Sequence, residues 1–238
     1  MLNAKEYYNI FSKKYDYSGN IGYLPAIDRI DSDIIIEYAR GKNALEVGCG
    51  TGLIMEKIKG DVREICGIDI SPNMLAKARA RNLNVIEGSA LDMPFEDNTF
   101  DVSYSLKVLP HIKEIKKAIS EMVRVTKSNG NIVLEFYNPI SLRGIRLLIR
   151  YYLFPLKINN NVTEADLFNR IDSPWRIKKY LPDNVEIVDT RGVMIFALLP
   201  FLYRVPIISG ALIAIERIFQ KSFLKYFGGF YIVIVRKK

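Results

Sequence analysis

Ala44-Leu45-Glu46-Val47-Gly48-Cys49-Gly50-Thr51-Gly52 is a mainly apolar run that ends in three glycines, each two residues after the last. The run has the length of a buried β-strand, and a helical pattern follows Gly52. Glycines at such a turn let the backbone pass close to a bound ligand, because no Cβ stands in the way. The segment therefore predicts a βα unit with a ligand site at its turn.

The spacing of these glycines argues against a dinucleotide-binding turn. The pattern G-x-G-x-x-G starting at Gly48 requires glycine at position 53, which is leucine. Glu46, two residues before the first glycine, would repel a pyrophosphate and suits a cationic ligand. Asp69 stands at the end of the next predicted strand, where a carboxylate can accept hydrogen bonds from both ribose hydroxyls of a nucleoside.

Apolar runs alternate with helical patterns along the rest of the chain, which predicts a parallel sheet covered by helices. The predicted strands are residues 43–47, 64–70, 84–87, 100–105, 132–136, 185–189 and 230–235. The predicted helices are residues 53–59, 73–81, 112–126 and 175–181. The length of 238 residues fits a single domain of this kind.

Composition narrows the class of protein further. Hydrophobic residues make up 49% and charged residues 25%, which excludes a disordered or collagen-like chain. Residues 1–10 do not resemble a secretory signal, so we expect a cytoplasmic protein. Cys49 and Cys66, with His111 as the only histidine, cannot supply a four-ligand zinc site, and we expect no structural metal.

On these residues the chain resembles the class I S-adenosylmethionine-dependent methyltransferases. Residues 46–52 are similar to that family's first motif, and Asp69 matches its ribose-binding acid. Residues 88–95, 97–101 and 124–130 are similar to its adenine-side segment, its turn into the fourth strand and its turn into the fifth. The resemblance covers about residues 40–137, and the broader pattern is similar to the small-molecule branch that includes ubiquinone and menaquinone biosynthesis methyltransferases. It implies an α/β fold, a Rossmann-like doubly wound sheet of seven strands with the last strand antiparallel.

The resemblance also implies S-adenosylmethionine as the cofactor and assigns residues to it. Gly48, Gly50, Gly52 and the backbone of Cys49 would border its methionine part, and Glu46 would favour its ammonium or sulfonium side. Asp69 would bind the ribose, and Ile70 and Met74 would pack against the adenine. Ala90 and Leu91 would contribute by backbone and packing contacts. Leu106 and Lys107, just after the fourth strand, would face the cofactor.

Ser89 departs from the family pattern. The family often has an aspartate at this position, where it accepts a hydrogen bond from the adenine amino group. The Ser89 hydroxyl can take the same role, because a hydroxyl oxygen also accepts.

Methyl transfer from a sulfonium is an in-line displacement that needs no protein nucleophile, and it needs a base only where the acceptor must lose a proton. His111 follows the fourth strand near the expected acceptor site and is the candidate general base; a loop or helix-start residue is the alternative interpretation. Residues 105–110 lack the Asn/Asp-Pro-Pro-aromatic turn of enzymes that methylate exocyclic base amines. Cys49 and Cys66 are not placed to attack a cytosine.

The positive charge is concentrated in the last hundred residues. Residues 1–138 carry 18 basic and 19 acidic groups, whereas residues 139–238 carry 16 and 7, and the whole chain has a net charge of +8. The asymmetry predicts an anionic partner for the C-terminal part, either nucleic acid, anionic lipid or a phosphorylated substrate. A solubilising surface is the alternative.

Two segments of this part combine apolar faces with basic residues, a pattern typical of helices in a membrane interface. One is residues 143–152, with Arg143, Arg146 and Arg150. The other is residues 212–227, where an apolar helical face lies opposite Arg217, Lys221 and Lys225. The apolar runs 192–203 and 205–215 are each too short to span a bilayer, and Arg204 separates them.

These segments fall in two predicted insertions, residues 139–170 and 192–228, of one domain over residues 1–238 with its cofactor-binding core at about 40–137. Class I methyltransferases commonly carry substrate lids there. An apolar, basic lid predicts a hydrophobic small-molecule or lipid acceptor and peripheral membrane contact. Packing of the lid on the domain or on a second subunit is the alternative interpretation. An RNA methyltransferase and a cofactor-binding, membrane-associated module without turnover are the alternative functions.

A cluster of tyrosines lies before the first strand, at positions 7, 8, 15, 17 and 23. Related methyltransferases often close such a segment over the cofactor. Core packing explains the tyrosines equally well.

Overall fold

The computed structural model describes residues 3–19, 24–141, 167–196, 202–203 and 205–238. Within them, seven strands form one sheet in the order β3-β2-β1-β4-β5-β7-β6. The strands are β1 (Asn43–Val47), β2 (Glu64–Asp69), β3 (Val85–Glu87), β4 (Phe100–Ser105), β5 (Thr126–Tyr137), β6 (Val185–Val193) and β7 (Phe230–Lys237). β7 runs antiparallel between β5 and β6, and the neighbouring pairs among β1 to β5 are parallel. The predicted seven-strand sheet with an antiparallel last strand is confirmed.

Helices cover both faces of the sheet. They are α1 (Ala4–Gly19), α2 (Leu24–Ala39), α3 (Leu53–Ile58), α4 (Pro72–Ala80), α5 (Ile115–Val125), α6 (Pro174–Ile177) and α7 (Pro206–Phe219). α2, α3 and α7 contribute to the apolar core on one face, and α5 and α6 to the core on the other. The sequence of β7 is continuously apolar because both of its faces are buried. Phe230, Ile232 and Ile234 belong to the first core, and Tyr231 and Val233 belong to the second.

The order of the strands places a crevice at the centre of the sheet. β2 and β3 follow β1 on one side, and β4 and β5 lie on the other, so the direction of winding reverses between β1 and β4. Open α/β sheets bind ligands at the carboxyl ends of their strands at such a point. The glycine turn after β1 and the loop after β4 flank this crevice.

Several predicted elements differ in extent from the structure. The sixth strand, predicted at 185–189, runs to Val193 and so into the insertion predicted from residue 192, and the helix predicted at 175–181 ends at Ile177 and continues as a 3₁₀ turn. The fifth strand and the last helical segment differ as well. The fifth strand starts at Thr126, within the predicted turn of residues 124–130. Thr126 pairs with Phe100, the next pair with β4 is Asn131 with Val102, and the left-handed φ of +62° at Asn129 lies in the irregular stretch between them. The helical face predicted over residues 212–227 is wrong beyond Phe219, where α7 ends. Ser222 donates to the carbonyl of Phe219 at 2.7 Å and caps a 3₁₀ turn, a local hydrogen-bond pattern that competes with the helix.

Some predictions lie outside the described residues. These are the basic stripe of Arg143, Arg146 and Arg150, the interruption at Arg204, the position of Tyr23 and the side chain of Tyr17. Within the described parts of the chain, none of the helices combines the length and the apolarity needed to cross a membrane.

Candidate active site

The glycine turn after β1 has left-handed backbone at all three glycines. The φ angles of Gly48, Gly50 and Gly52 are +77°, +53° and +79°, which residues with a Cβ rarely adopt. A Cβ at Gly48 would overlap Val108, and one at Gly52 would overlap Leu83. A Cβ at Gly50 would meet only the Tyr15 ring, at 3.9 Å. The outer glycines therefore allow close packing of the protein, and Gly50 borders open space.

Asp69 lies at the carboxyl end of β2, against this turn. Its Oδ2 accepts the backbone N–H of Gly50 at 2.8 Å, and its Oδ1 accepts that of Ser71 at 2.8 Å. Burial raises the pKa of Asp69, and these backbone N–H groups partly offset the effect. Each carboxylate oxygen can accept more than one hydrogen bond, so the side chain is oriented and still has capacity for ligand hydroxyls.

Glu46 is buried below the turn, with only 4% of its surface exposed. It pairs in register with Tyr104 on β4, whose hydroxyl donates to Glu46 Oε2 at 3.0 Å. Burial raises the pKa of Glu46 to about 8, although Tyr104 and Lys107 lower it. A buried carboxyl of this kind gains stability from a nearby positive charge.

The predicted adenine side differs in exposure from residue to residue. Met74 is buried, whereas Ile70 is half-buried at the end of β2. Ser89 Oγ accepts the backbone N–H of Leu91 at 3.1 Å, so its hydroxyl already orders the loop in which it lies. Ala90 and Leu91 are half-buried and pack against the core. The roles of these residues toward adenine stay predictions.

The loop after β4 carries an ion-pair cluster that the sequence interpretation did not include. Leu106 is buried, and Lys107 has a left-handed φ of +61°. Lys107 Nζ lies 2.9 Å from Asp28 Oδ1 and 3.1 Å from Asp31 Oδ2, both on α2. Burial raises the pKa of Asp31 to about 6, against the lowering effect of Lys107. The sequence did contain a signal for this cluster. Asp28 and Asp31 lie one turn apart in a mainly apolar helix, and buried carboxylates need a cationic partner.

His111 ends a 3₁₀ turn, Leu109–His111, on the other side of the crevice. Its Nδ1 lies 3.1 Å from the carbonyl oxygen of Phe168, and its Nε2 lies 3.4 Å from the Tyr137 hydroxyl. Because a carbonyl only accepts, Nδ1 carries the proton and Nε2 keeps its lone pair. Burial lowers the pKa of His111 to about 4, so the ring is neutral near pH 7.

Helix α1 contacts both the glycine turn and the start of α4. Asn9 Oδ1 accepts from the hydroxyl of Ser71 at 2.7 Å, and Asp16 Oδ1 accepts from the hydroxyl of Thr51 at 2.6 Å. The ring of Tyr15 lies beside Gly50. The described part of the predicted tyrosine segment thus lies against the crevice, and Asn9 and Asp16 are further residues that the sequence interpretation missed.

The cysteines and possible metal ligands do not form a further reactive centre in the described residues. Cys49 and Cys66 are free thiols, and burial raises the pKa of both. In the ranges that the structure describes, no three His, Cys, Asp or Glu side chains are grouped so that they could hold a metal ion.

Comparison with known proteins agrees with this geometry. A family model described as a methyltransferase domain matches residues 45–134, from β1 into β5. Demethylmenaquinone methyltransferase of Staphylococcus aureus is 31% identical over 175 residues, which cover 66% of this chain and 70% of the relative. The chain belongs to the class I S-adenosylmethionine-dependent methyltransferases. It is an enzyme with S-adenosylmethionine as cofactor, and within the class it is similar to the quinone biosynthesis methyltransferases.

Solved structures share the whole fold. An S-adenosylmethionine-dependent methyltransferase of Thermotoga maritima has a TM-score of 0.69 at 16% identity and covers 97% of this chain and 100% of its own. A second, from Mesorhizobium loti, has a TM-score of 0.61 at 15% identity and covers 92% and 99%. At these identities the likeness shows the fold alone.

Proposed function

We propose that this enzyme transfers the methyl group of S-adenosylmethionine to a hydrophobic small molecule or lipid. The observation that carries the proposal is a chain of aromatic rings beside the crevice, defined here as the aromatic wall: Tyr8, His111, Tyr137 and Phe230. Successive centroids lie 6.2, 5.7 and 5.6 Å apart. Burial lowers the pKa of His111 and raises that of Tyr8, so neither ring is charged near pH 7. Phe230 is buried behind Tyr137, with Lys107 Nζ 6.0 Å from its ring centre, so Tyr8, His111 and Tyr137 are the rings of the wall that can meet an acceptor. Their neutral faces favour an apolar acceptor.

The name of the Staphylococcus aureus relative supports the same class of acceptor. That protein is named for demethylmenaquinone, a lipophilic quinone. At 31% identity to that relative, a hydrophobic ring compound is the first acceptor to test.

The residues at the glycine turn suit the cofactor. When bound, it supplies a methyl group on a positively charged sulfur, which activates the methyl carbon for displacement. Buried Glu46 favours that positive charge, and Asp69 is oriented to accept from the ribose hydroxyls. The proposed contacts of the remaining parts are Gly48, Cys49, Gly50 and Gly52 with the methionine moiety, and Ile70, Met74, Ser89, Ala90, Leu91 and Leu106 with or behind the adenosine.

His111 is the proposed general base. Its Nδ1–H is held by the Phe168 carbonyl, so Nε2 accepts a long hydrogen bond of 3.4 Å from the Tyr137 hydroxyl, which must give way when Nε2 takes a proton. A proton on the attacking atom becomes strongly acidic as the new bond to the methyl carbon forms. A weak base with a pKa of about 4 can therefore take that proton during the transfer.

The RNA alternative depends on basic side chains that are available to phosphates. In the described part of the C-terminal region, Arg191 contacts Glu37 and Asp189, Arg217 contacts Asp33, and Lys221 contacts Glu37. Because these cations already pair with carboxylates, they contribute less to binding a phosphate backbone. The observations favour the lipophilic acceptor.

Labelled methyl transfer tests the proposal. Purified enzyme is incubated with methyl-labelled S-adenosylmethionine and, separately, with a lipid extract and an RNA extract, with the Asp69→Ala variant as control. We expect label in the organic phase of the lipid reaction alone. Label in RNA would instead support the RNA methyltransferase. Retained cofactor binding without transfer to either pool would support a module without turnover.

A further inference from the structure

The chain between α7 and β7, together with Trp175 of α6, exposes aromatic side chains next to lysine. Phe223 is 71% and Trp175 is 65% exposed. Both contact Tyr226: Trp175 stacks on it with centroids 6.1 Å apart, and Phe223 packs against it at 5.7 Å. Lys225 Nζ lies 5.5 Å from the centre of the same ring, and Phe227 packs on Phe223. We define these five residues as the aromatic turn.

Such a cluster matches the chemistry of the boundary between lipid and water. Tryptophan and tyrosine are enriched there because one end of each ring system is apolar and the other is polar. Lysine can lay its stem along apolar surface and keep its ammonium group among the headgroups.

Helix α7 exposes a second apolar surface. Ile207, Ala211, Ala214 and Ile218 recur at helical spacing and all face solvent, with Ile207 86% and Ile218 71% exposed. Ile213 is buried on the opposite side. An exposed aliphatic stripe of this length marks a contact surface. α7 contacts the 3₁₀ turn Phe223–Phe227 that follows it, so the stripe and the rings of that turn lie on consecutive, touching elements.

Charge distinguishes between the partners that could cover this surface. Between Val205 and Gly229 the only acidic residue is Glu216, which is buried and accepts the backbone N–H groups of Ile195 and Phe196 at 3.0 and 2.7 Å. Arg217 and Lys221 are compensated by Asp33 and Glu37 of α2, whereas Lys225 forms no ion pair among the described residues. A second copy docked through the same segment would offer Lys225 no exposed carboxylate, because Glu216 is buried. An anionic bilayer complements the charge and accepts the exposed rings.

The aromatic turn lies at the edge of the sheet that also carries the aromatic wall. Asn138, directly after β5, donates from its side-chain amide to the carbonyls of Tyr226 and Gly228 at 2.8 and 2.9 Å. Phe230, the first residue of β7, pairs in register with Tyr137. A bilayer in contact with the turn is therefore next to the acceptor side of the crevice.

We propose that the aromatic turn and the exposed stripe of α7 dock the enzyme on an anionic lipid bilayer, with the rings at headgroup level. The purpose of docking rests on the proposed function, because a lipophilic acceptor would be reached from the membrane. Docking itself requires neither cofactor nor acceptor, so the two proposals can fail independently.

Trp175 is the only tryptophan of the chain and therefore a direct probe. The complete protein, without cofactor, is mixed with vesicles of phosphatidylcholine alone or with added phosphatidylglycerol, and emission and co-sedimentation are measured. We expect a blue shift with the anionic vesicles, and quenching when their acyl chains are brominated. A folded protein whose emission and sedimentation do not respond would overturn the proposal. The proposal would also be overturned if the blue shift increased with protein concentration in the absence of vesicles and light scattering showed a dimer. That result would mean that a second copy covers the surface.

Variants separate the parts of the surface. Phe223→Ser and Ile218→Ser should each weaken binding about tenfold, because each removes a large apolar side chain from the contact. Lys225→Gln should weaken binding to anionic vesicles about fivefold and leave binding to neutral ones unchanged. Lys59→Gln, an exposed lysine at the end of α3, is the matched control and should bind as the wild type does. Equal losses for Lys59→Gln and Lys225→Gln would contradict the assigned surface.

Methyl transfer to a detergent-solubilised acceptor completes the test. Phe223→Ser should keep this activity while it loses vesicle binding. If the wild type transfers methyl groups to the acceptor but does not bind vesicles, docking is refuted and the proposed function stands. If it binds vesicles but transfers to no lipid, docking stands and the proposed function is refuted.

Discussion

Glu46→Gln tests whether a buried carboxyl draws the cationic cofactor into the crevice. Burial raises the pKa of Glu46 to about 8; the hydrogen bond from Tyr104 and the charge of Lys107 lower it, and Asp28 and Asp69 raise it further. The carboxyl of the free enzyme is therefore mostly protonated near pH 7. A bound positive charge favours the ionised form, so binding must remove the proton.

The pKa sets the expected magnitudes. Below a pH of about 8, affinity for S-adenosylmethionine should rise about tenfold per pH unit and then level off. The free energy of unfolding of the cofactor-free enzyme should fall over the pH range in which the affinity rises. The folded enzyme holds the Glu46 proton between the ordinary pKa of 4.5 and about 8, so the free energy of unfolding should fall with rising pH by about 1.4 kcal/mol per unit in this window. At pH 7 the free energy of unfolding should therefore be about 3 kcal/mol lower than it is below the ordinary pKa.

Calorimetric titration at several pH values, with denaturant unfolding of the same samples, measures both slopes. Glutamine keeps an oxygen that accepts from Tyr104 and has no proton to lose, so both slopes due to Glu46 should vanish in Glu46→Gln. The amino group of the ligand titrates equally with either protein, and the ratio of the two affinities isolates Glu46. A ratio that stays constant between about pH 6 and 8 would refute the reasoning.

Three further substitutions address the other parts of the site and the glycine turn. Asp69→Ala should weaken S-adenosylmethionine binding by about 1–3 kcal/mol in the same calorimetry, and unchanged affinity would show that the ribose is held elsewhere. His111→Ala should slow transfer about 100-fold at unchanged cofactor affinity. Because the pKa of His111 is lowered to about 4, the wild-type rate at saturating cofactor should not fall through loss of this base until the pH approaches that value. Near-normal turnover of the variant would leave His111 a structural residue. Gly52→Ala should lower the free energy of unfolding by about 1–3 kcal/mol, because its φ is +79° and a Cβ would overlap Leu83. Gly60→Ala, where a Cβ meets open space, is the control, and equal losses would contradict the argument.

The sequence was sufficient for the residues at the strand ends. Glu46 lies in β1 and Asp69 ends β2, and parallel neighbours bring their carboxyl ends to one edge of the sheet. β1 and β4 have the predicted bounds, because each is a short apolar run between turn residues. The same local signals located the glycine turn that follows β1.

Contacts between distant parts of the chain could not be predicted in this way. Lys107 and Asp28 are 79 positions apart, and Ser71 and Asn9 are 62 apart. No local pattern specifies such partners, because they are set by the packing of α1 and α2 on the sheet. The end of α7 at Phe219 has a related cause: helical periodicity continues to residue 227, but hydrogen bonds of Ser222 begin a different turn.

The position of β7 has a consequence for biosynthesis. β7 joins β6 to the rest of the sheet, yet Val185–Val193 is translated well before Phe230–Lys237. While the ribosome synthesises the intervening chain, β5 lacks a hydrogen-bonded neighbour on one side and β6 has none within the described sheet. Open strand edges in nascent chains associate readily with one another. In this chain the free edges of β5 and β6 are closed only when Phe230–Lys237 is available to pair with both.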